Sequence, residues 1–184
     1  MRLFHFSDDK NIEVFSPRPA KTPAPRPDGR EWVNGPLVRA IDDWHQPLYL
    51  FPRECPRVLV WPDATTTPQY LSAFKAMTAC RMVAHIERRW LDRLSRSPIY
   101  RYELPPDGFE SIDDAGTWAS RAPCMPIDIV RIEDPEKALE AAGVELRVLP
   151  SLKTLAPMWD TSLHVIGIRL RAGDRPSMRA LPSR

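Results

Sequence analysis

IDIVRIEDPEKALEAAGVELRVL, residues 127–149, is the stretch on which the fold class turns. Ile127 to Ile132 is short and β-branched, which marks a strand. Asp134 stands before Pro135, and Gly143 follows Ala142. A carboxylate ahead of a proline at the first helical position, with a glycine just past the end, brackets a helix over residues 135–142. Val144 to Leu149 is again strand-like. Strand, helix and strand in this order predict a βαβ crossover, right-handed if the two strands share a sheet.

Upstream of this stretch the same signals recur. Leu3 to Ser7, Leu37 to Ile41, Val58 to Trp61, Ile99 to Leu104 and Thr117 to Ser120 read as strands. Thr67 before Pro68 starts a helix that runs through Leu71, Phe74 and Met77. Ala79 to Ser95 reads as a second helix, because Val83, Ile86, Trp90 and Leu94 fall on one helical stripe, with Arg81, His85 and Arg88 on another face. Thr154 to Trp159 is a short helical piece, and Leu163 to Leu170 is a last strand or helix. The expected architecture is α+β: a single compact domain over residues 1–171, with a mixed twisted sheet and about three helices. A basic C-terminal tail covers residues 172–184.

The 184 residues hold 21 prolines and 7 glycines, so connections should be stiff and extended. Five of the prolines, at 17, 19, 23, 25 and 27, crowd into residues 16–29. That segment reads as polyproline II, docked as a lid or loose as a tether. Lys and Arg total 26 against 24 acids, a net charge of +2, which argues against a duplex nucleic-acid footprint. No glycine pattern for a dinucleotide turn or a P-loop is present. Cys55, Cys80 and Cys124 form no C-x-x-C pair, and the four histidines stand alone, so neither a disulfide framework nor a metal site is expected. No apolar signal core follows Met1, and no run approaches about 18 apolar residues, which predicts a cytoplasmic protein without a membrane partner.

The residues able to carry chemistry are scattered. His5 shares a strand with Ser7 and suits a ribose contact or a proton shuttle; a half-buried structural histidine is the competing reading. Arg53 and Arg57, three residues apart in a stiff Pro-Arg repeat, can converge on one anion or pair with Glu54, Asp42 or Asp43. Trp44 and His45 offer a stacking face. Glu103 on its strand and Glu110 in a loop are the candidate general bases. Trp118 and Ser120 share a strand face and can wall a pocket.

Leu3-Phe-His-Phe-Ser7, Pro17-Arg-Pro19, Pro52-Arg-Glu-Cys-Pro-Arg57 and Tyr100-Arg-Tyr-Glu-Leu-Pro-Pro106, in this order and spacing, resemble a bacterial family known as a domain of unknown function, of the DUF 6886 type. The likeness runs from about residue 3 to about residue 171 and implies no activity. A looser resemblance is to the ADP-ribosyltransferase-like fold, whose small members open with a histidine-bearing strand followed by a hydroxyl residue. It implies that His5 and Ser7 contact a nicotinamide ribose, with Glu103 as the catalytic carboxylate, although the sequence fixes no catalytic glutamate.

Three functions follow as expectations. The first is a pocket for a nucleotide or NAD-type ligand, built from His5, Ser7, Trp44, His45, Arg53, Arg57, Trp118 and Ser120. The second is a non-catalytic protein-interaction module using the Pro-rich segment and exposed aromatics. The third is an RNA-linked factor using the arginines. Whether the domain is an enzyme is left open.

Overall fold

The computed structural model describes residues 1–19 and 28–170. Most of the Pro-rich segment, residues 20–27, and the C-terminal tail lie outside the described residues. The chain is α+β. By its contacts it divides into two compact units, each assembled from two stretches of chain: Met1–Leu50 with Pro98–Glu133, and Phe51–Ser97 with the chain from Asp134 on.

The first unit is a wholly antiparallel six-stranded sheet. Its strands are β1 (Leu3–Ser7), β2 (Val38–Asp42), β5 (Ile99–Leu104), β6 (Glu110–Ser111), β7 (Thr117–Ser120) and β8 (Asp128–Ile132), in the order β6-β7-β2-β1-β5-β8. Residues directly opposite each other on neighbouring strands share a face. Leu3 faces Asp42 and Leu104, Ala40 faces Trp118, Val38 faces Ser120, and His5 faces Tyr102. One face therefore carries Leu3, His5, Ser7, Val38, Ala40, Tyr102, Leu104, Trp118 and Ser120. Its apolar members close a core with Phe15 and Phe109. Phe15 is held there by paired backbone bonds with Cys124, at 2.8 and 3.0 Å. The Tyr102 hydroxyl donates to the Asp9 carbonyl at 2.7 Å and accepts from the Ile12 N–H at 3.2 Å, which pins residues 9–12 to the same face.

The second unit holds β3 (Arg57–Trp61), β4 (Met82–Glu87), β9 (Val144–Leu149) and β10 (His164–Ile168), in the order β10-β3-β4-β9. This sheet is mixed: β4 and β9 run parallel and the other pairs antiparallel. Its helices are α1 (Pro68–Met77), α2 (Leu91–Arg96) and α3 (Pro135–Ala141). Val58, Val60, Phe74, Val83, Leu152 and Leu155 form its core.

Two expectations change. Residues 79–95 are not one helix: Met82–Glu87 is β4, and only Leu91–Arg96 is α-helical. Met82 to Ile86 is buried throughout, so both faces of the segment need apolar or neutral side chains. A run of that kind matches a helical stripe by accident. Arg81, His85 and Arg88 accordingly do not share a helix face, and His85 is buried inside the sheet. The βαβ reading of residues 127–149 also fails, because β8 pairs with β5 in one sheet and β9 with β4 in the other.

Candidate functional site

The best-organised group of reactive side chains follows the end of β2. Asp42, the last residue of that strand, accepts the His45 backbone N–H at 2.8 Å, closing a tight turn. The same carboxylate lies against His45 Nδ1, with its two oxygens at 2.9 and 3.0 Å. A carboxylate only accepts, so the ring proton sits on Nδ1 and Nε2 is the basic nitrogen of the neutral imidazole. Both side chains are about a quarter exposed, at 26 and 21 %. Trp44 stands edge-on to the imidazole with centroids 4.5 Å apart, and is itself 42 % exposed.

Gly116 closes the group from behind. Its carbonyl accepts the Asp42 N–H at 2.9 Å, and its φ is +69°. A Cβ at this position would run into His45 Nδ1 and Asp42 Oδ2. The turn between β6 and β7 is thus shaped around the imidazole–carboxylate pair. An aspartate that aligns a histidine through Nδ1 is the orienting half of general-base chemistry.

The other anticipated residues of this unit are tied into the fold. His5 Nδ1 lies 2.8 Å from the Arg39 carbonyl, and the ring tilts against Phe15 with centroids 4.7 Å apart. The Ser7 hydroxyl accepts the Asp9 N–H at 3.1 Å. Ser120 Oγ accepts the Ala122 N–H at 3.1 Å and donates to the Ala122 carbonyl at 3.2 Å. Trp118 packs against the Phe15 core. His5, Ser7, Trp118 and Ser120 do share one sheet face. Glu103 does not: it stands opposite Phe4, on the other face, and its carboxylate takes both Arg2 Nε and Nη2, at 3.0 and 2.5 Å. That guanidinium holds the Glu103 carboxyl below its ordinary range. Glu110 pairs at the surface with Arg121, at 2.6 Å.

A family of unknown function, DUF6886, matches residues 4–173. The chain belongs to that family. Nothing matches it among curated proteins or among solved structures, so no comparison connects it to the ADP-ribosyltransferases.

The DUF6886 match spans both units, and the second holds the remaining anticipated residues. Arg57 is buried; its guanidinium donates to the Cys55 carbonyl at 3.0 Å and lies over the Phe51 ring, 5.1 Å from the centroid. Arg53 is exposed. The two do not present one anion-binding fork. Cys55, fully buried beside them, has its thiol pushed up to about 11 by that burial, with Arg57 pulling weakly the other way.

The sequence reading named Trp44 and His45 but assigned Asp42 and Gly116 no part in their site. The signal for Asp42 was local: an aspartate three residues before a histidine, across a turn. Gly116 carried no local signal, since what it makes room for lies about 70 positions earlier. A second aspartate–histidine pair, Asp63 with His164 Nδ1 at 3.3 Å, had no signal at all. It depends on the antiparallel register that sets His164 against Trp61, where the rings stack 4.2 Å apart.

Proposed function

We propose that this DUF6886 domain binds a nucleotide or NAD-type ligand at Trp44 and His45, with His45 as the proton-handling group. The observation that carries the reading is the Asp42–His45 pair. A carboxylate fixed by the turn holds the imidazole in one tautomer, beside an indole that is exposed enough to be covered by a planar base. His45 Nε2 then accepts a ribose hydroxyl proton, and Asp42 steadies the imidazolium that forms. His5, Ser7, Trp118 and Ser120 support this reading only as scaffold, since their polar atoms are engaged within the sheet and its turns.

The experiment is a thermal-shift series with NAD, ADP-ribose and nucleoside phosphates. A ligand at 100 times its Kd adds about 2.7 kcal/mol to stability. The shift is expected in the natural protein and lost in Trp44→Ala and His45→Ala. Absence of a shift with every ligand, or a shift that survives both substitutions, overturns the reading.

A further inference from the structure

The two ends of the six-stranded sheet are finished differently. At one end β6 is two residues long, polar, and braced by the Glu110–Arg121 ion pair. At the other end β8 is five residues long, and among the described residues only β5 pairs with it. A terminal strand of this length presents alternate unpaired N–H and C=O groups along its outer side. Short length and charge blunt the β6 edge, whereas the β8 edge is apolar. Of the seven exposed large apolar residues, four gather here: Met125 at 67 %, Ile127 at 64 %, Ile129 at 43 % and Val130 at 37 %. A cluster of this kind on a solvent-facing edge marks a binding surface.

Beside the strand is a concavity of about 480 Å³, lined by Ile12, Tyr102, Ile127 and Ile129, with Lys10 and Glu13 at its margin. Ile129 faces Tyr102 across the β5–β8 ladder, so the concavity lies on the face of β8 that carries Ile127 and Ile129. Asp128 and Val130 point to the opposite face. Arg131 is neutralised by Glu133 at 2.9 Å. Neither Asp128 nor Glu13 has an ion pair among the described residues, which leaves the region with an acidic surplus.

We propose that the outer edge of β8 receives an extended segment of a partner polypeptide by strand addition. The segment has aliphatic residues at alternate positions, seated over Ile127, Ile129 and the concavity, and basic residues between them, opposite Asp128. Backbone bonds to β8 supply the docking, and the alternating pattern supplies the selection. Like charges directly opposite on paired strands are destabilising, so an acidic segment is excluded by the same geometry.

The test uses the full-length chain and two capped heptapeptides, Lys-Val-Lys-Val-Lys-Val-Lys and its glutamate counterpart, followed by fluorescence anisotropy. The lysine peptide should bind at least tenfold tighter than the glutamate peptide, and Asp128→Lys should reverse the order. N-methylation of alternate peptide amides, chosen to block the ladder, should abolish binding. Hydrogen exchange should slow at residues 128–132 when the lysine peptide is present. No binding of either peptide overturns the proposal, as do unchanged binding after N-methylation and protection confined to other residues. Self-association through β8 in sedimentation, with those amides already protected in the free protein, overturns it in favour of a second copy as the occupant.

Discussion

Gly116 is the residue on which the candidate site is most sensitively balanced. At φ +69° an L side chain is strained, and the space a methyl would fill holds the His45 imidazole and the Asp42 carboxylate. Gly116→Ala should therefore cost about 1–3 kcal/mol and turn the imidazole away from its carboxylate. A His45 ring-proton spectrum shows the second effect directly. The downfield Nδ1–H resonance of a carboxylate-bound imidazole is expected in the natural protein and absent in the variant. A resonance unchanged by the substitution contradicts the packing described. Cys55 gives a second residue-level expectation. With its thiol at about 11 and no solvent exposure, it should resist alkylation at pH 8 in the folded protein, and react only once the chain is unfolded. Mass mapping of iodoacetamide adducts at short times should find label on Cys80 or Cys124 first.

At the scale of elements, α3 is where local sequence was sufficient. Asp134 accepts the Lys137 N–H at 3.0 Å, Pro135 occupies the first helical position, and Gly143 turns the chain out at φ +71°. Each of these lies within a few residues of the feature it specifies. Asp134→Ala should lower stability by about 1 kcal/mol, read as a drop in the urea midpoint at unchanged slope; no change would mean that the helix start is fixed by Pro135 and packing alone. The helix α1 was legible for the same reason, although its cap works differently. Thr67 makes no capping bond within the helix, and its hydroxyl instead meets Ser162 Oγ at 3.1 Å. Where local pattern failed, at β4, the deciding information was long-range. Met82 to Ile86 is flanked by β3 on one side and β9 on the other, and a segment buried on both faces shows no alternation. Its chance helical spacing then had nothing to compete with.

At the scale of the whole molecule, strands were found more reliably than their partners. The β8–α3–β9 stretch contains every element predicted, yet the chain leaves the first unit at Glu133 and enters the second at Asp134. No residue between Ile127 and Leu149 records that passage; it is written in the partners, Tyr102 for Ile129 and His85 for Arg147. His85 also makes stability of the fold depend on pH. It is buried between β3 and β9, with Nδ1 at 3.3 Å from the Val58 carbonyl. Burial pulls its pKa from 6.5 down to about 4; Arg147 pushes the same way, against the Val58 carbonyl and Glu145. The unfolded chain takes up this proton first as pH falls, so the neutral ring contributes its full stability above pH 6.5 and loses it progressively down to about 4. The loss is on the order of 3 kcal/mol. Glu145, held low by its hydrogen bond from Arg147, and Asp134, held low by the Lys137 N–H, act in a more acidic window, where carboxylates begin to protonate. The two windows separate in a calorimetric series from pH 7.5 to 3.5. Tm should fall between pH 6.5 and 4 in the natural protein, and that part of the slope should flatten in His85→Leu while the fall below pH 4 persists. An undiminished slope in the variant would show that His85 is not the group whose protonation opens the sheet.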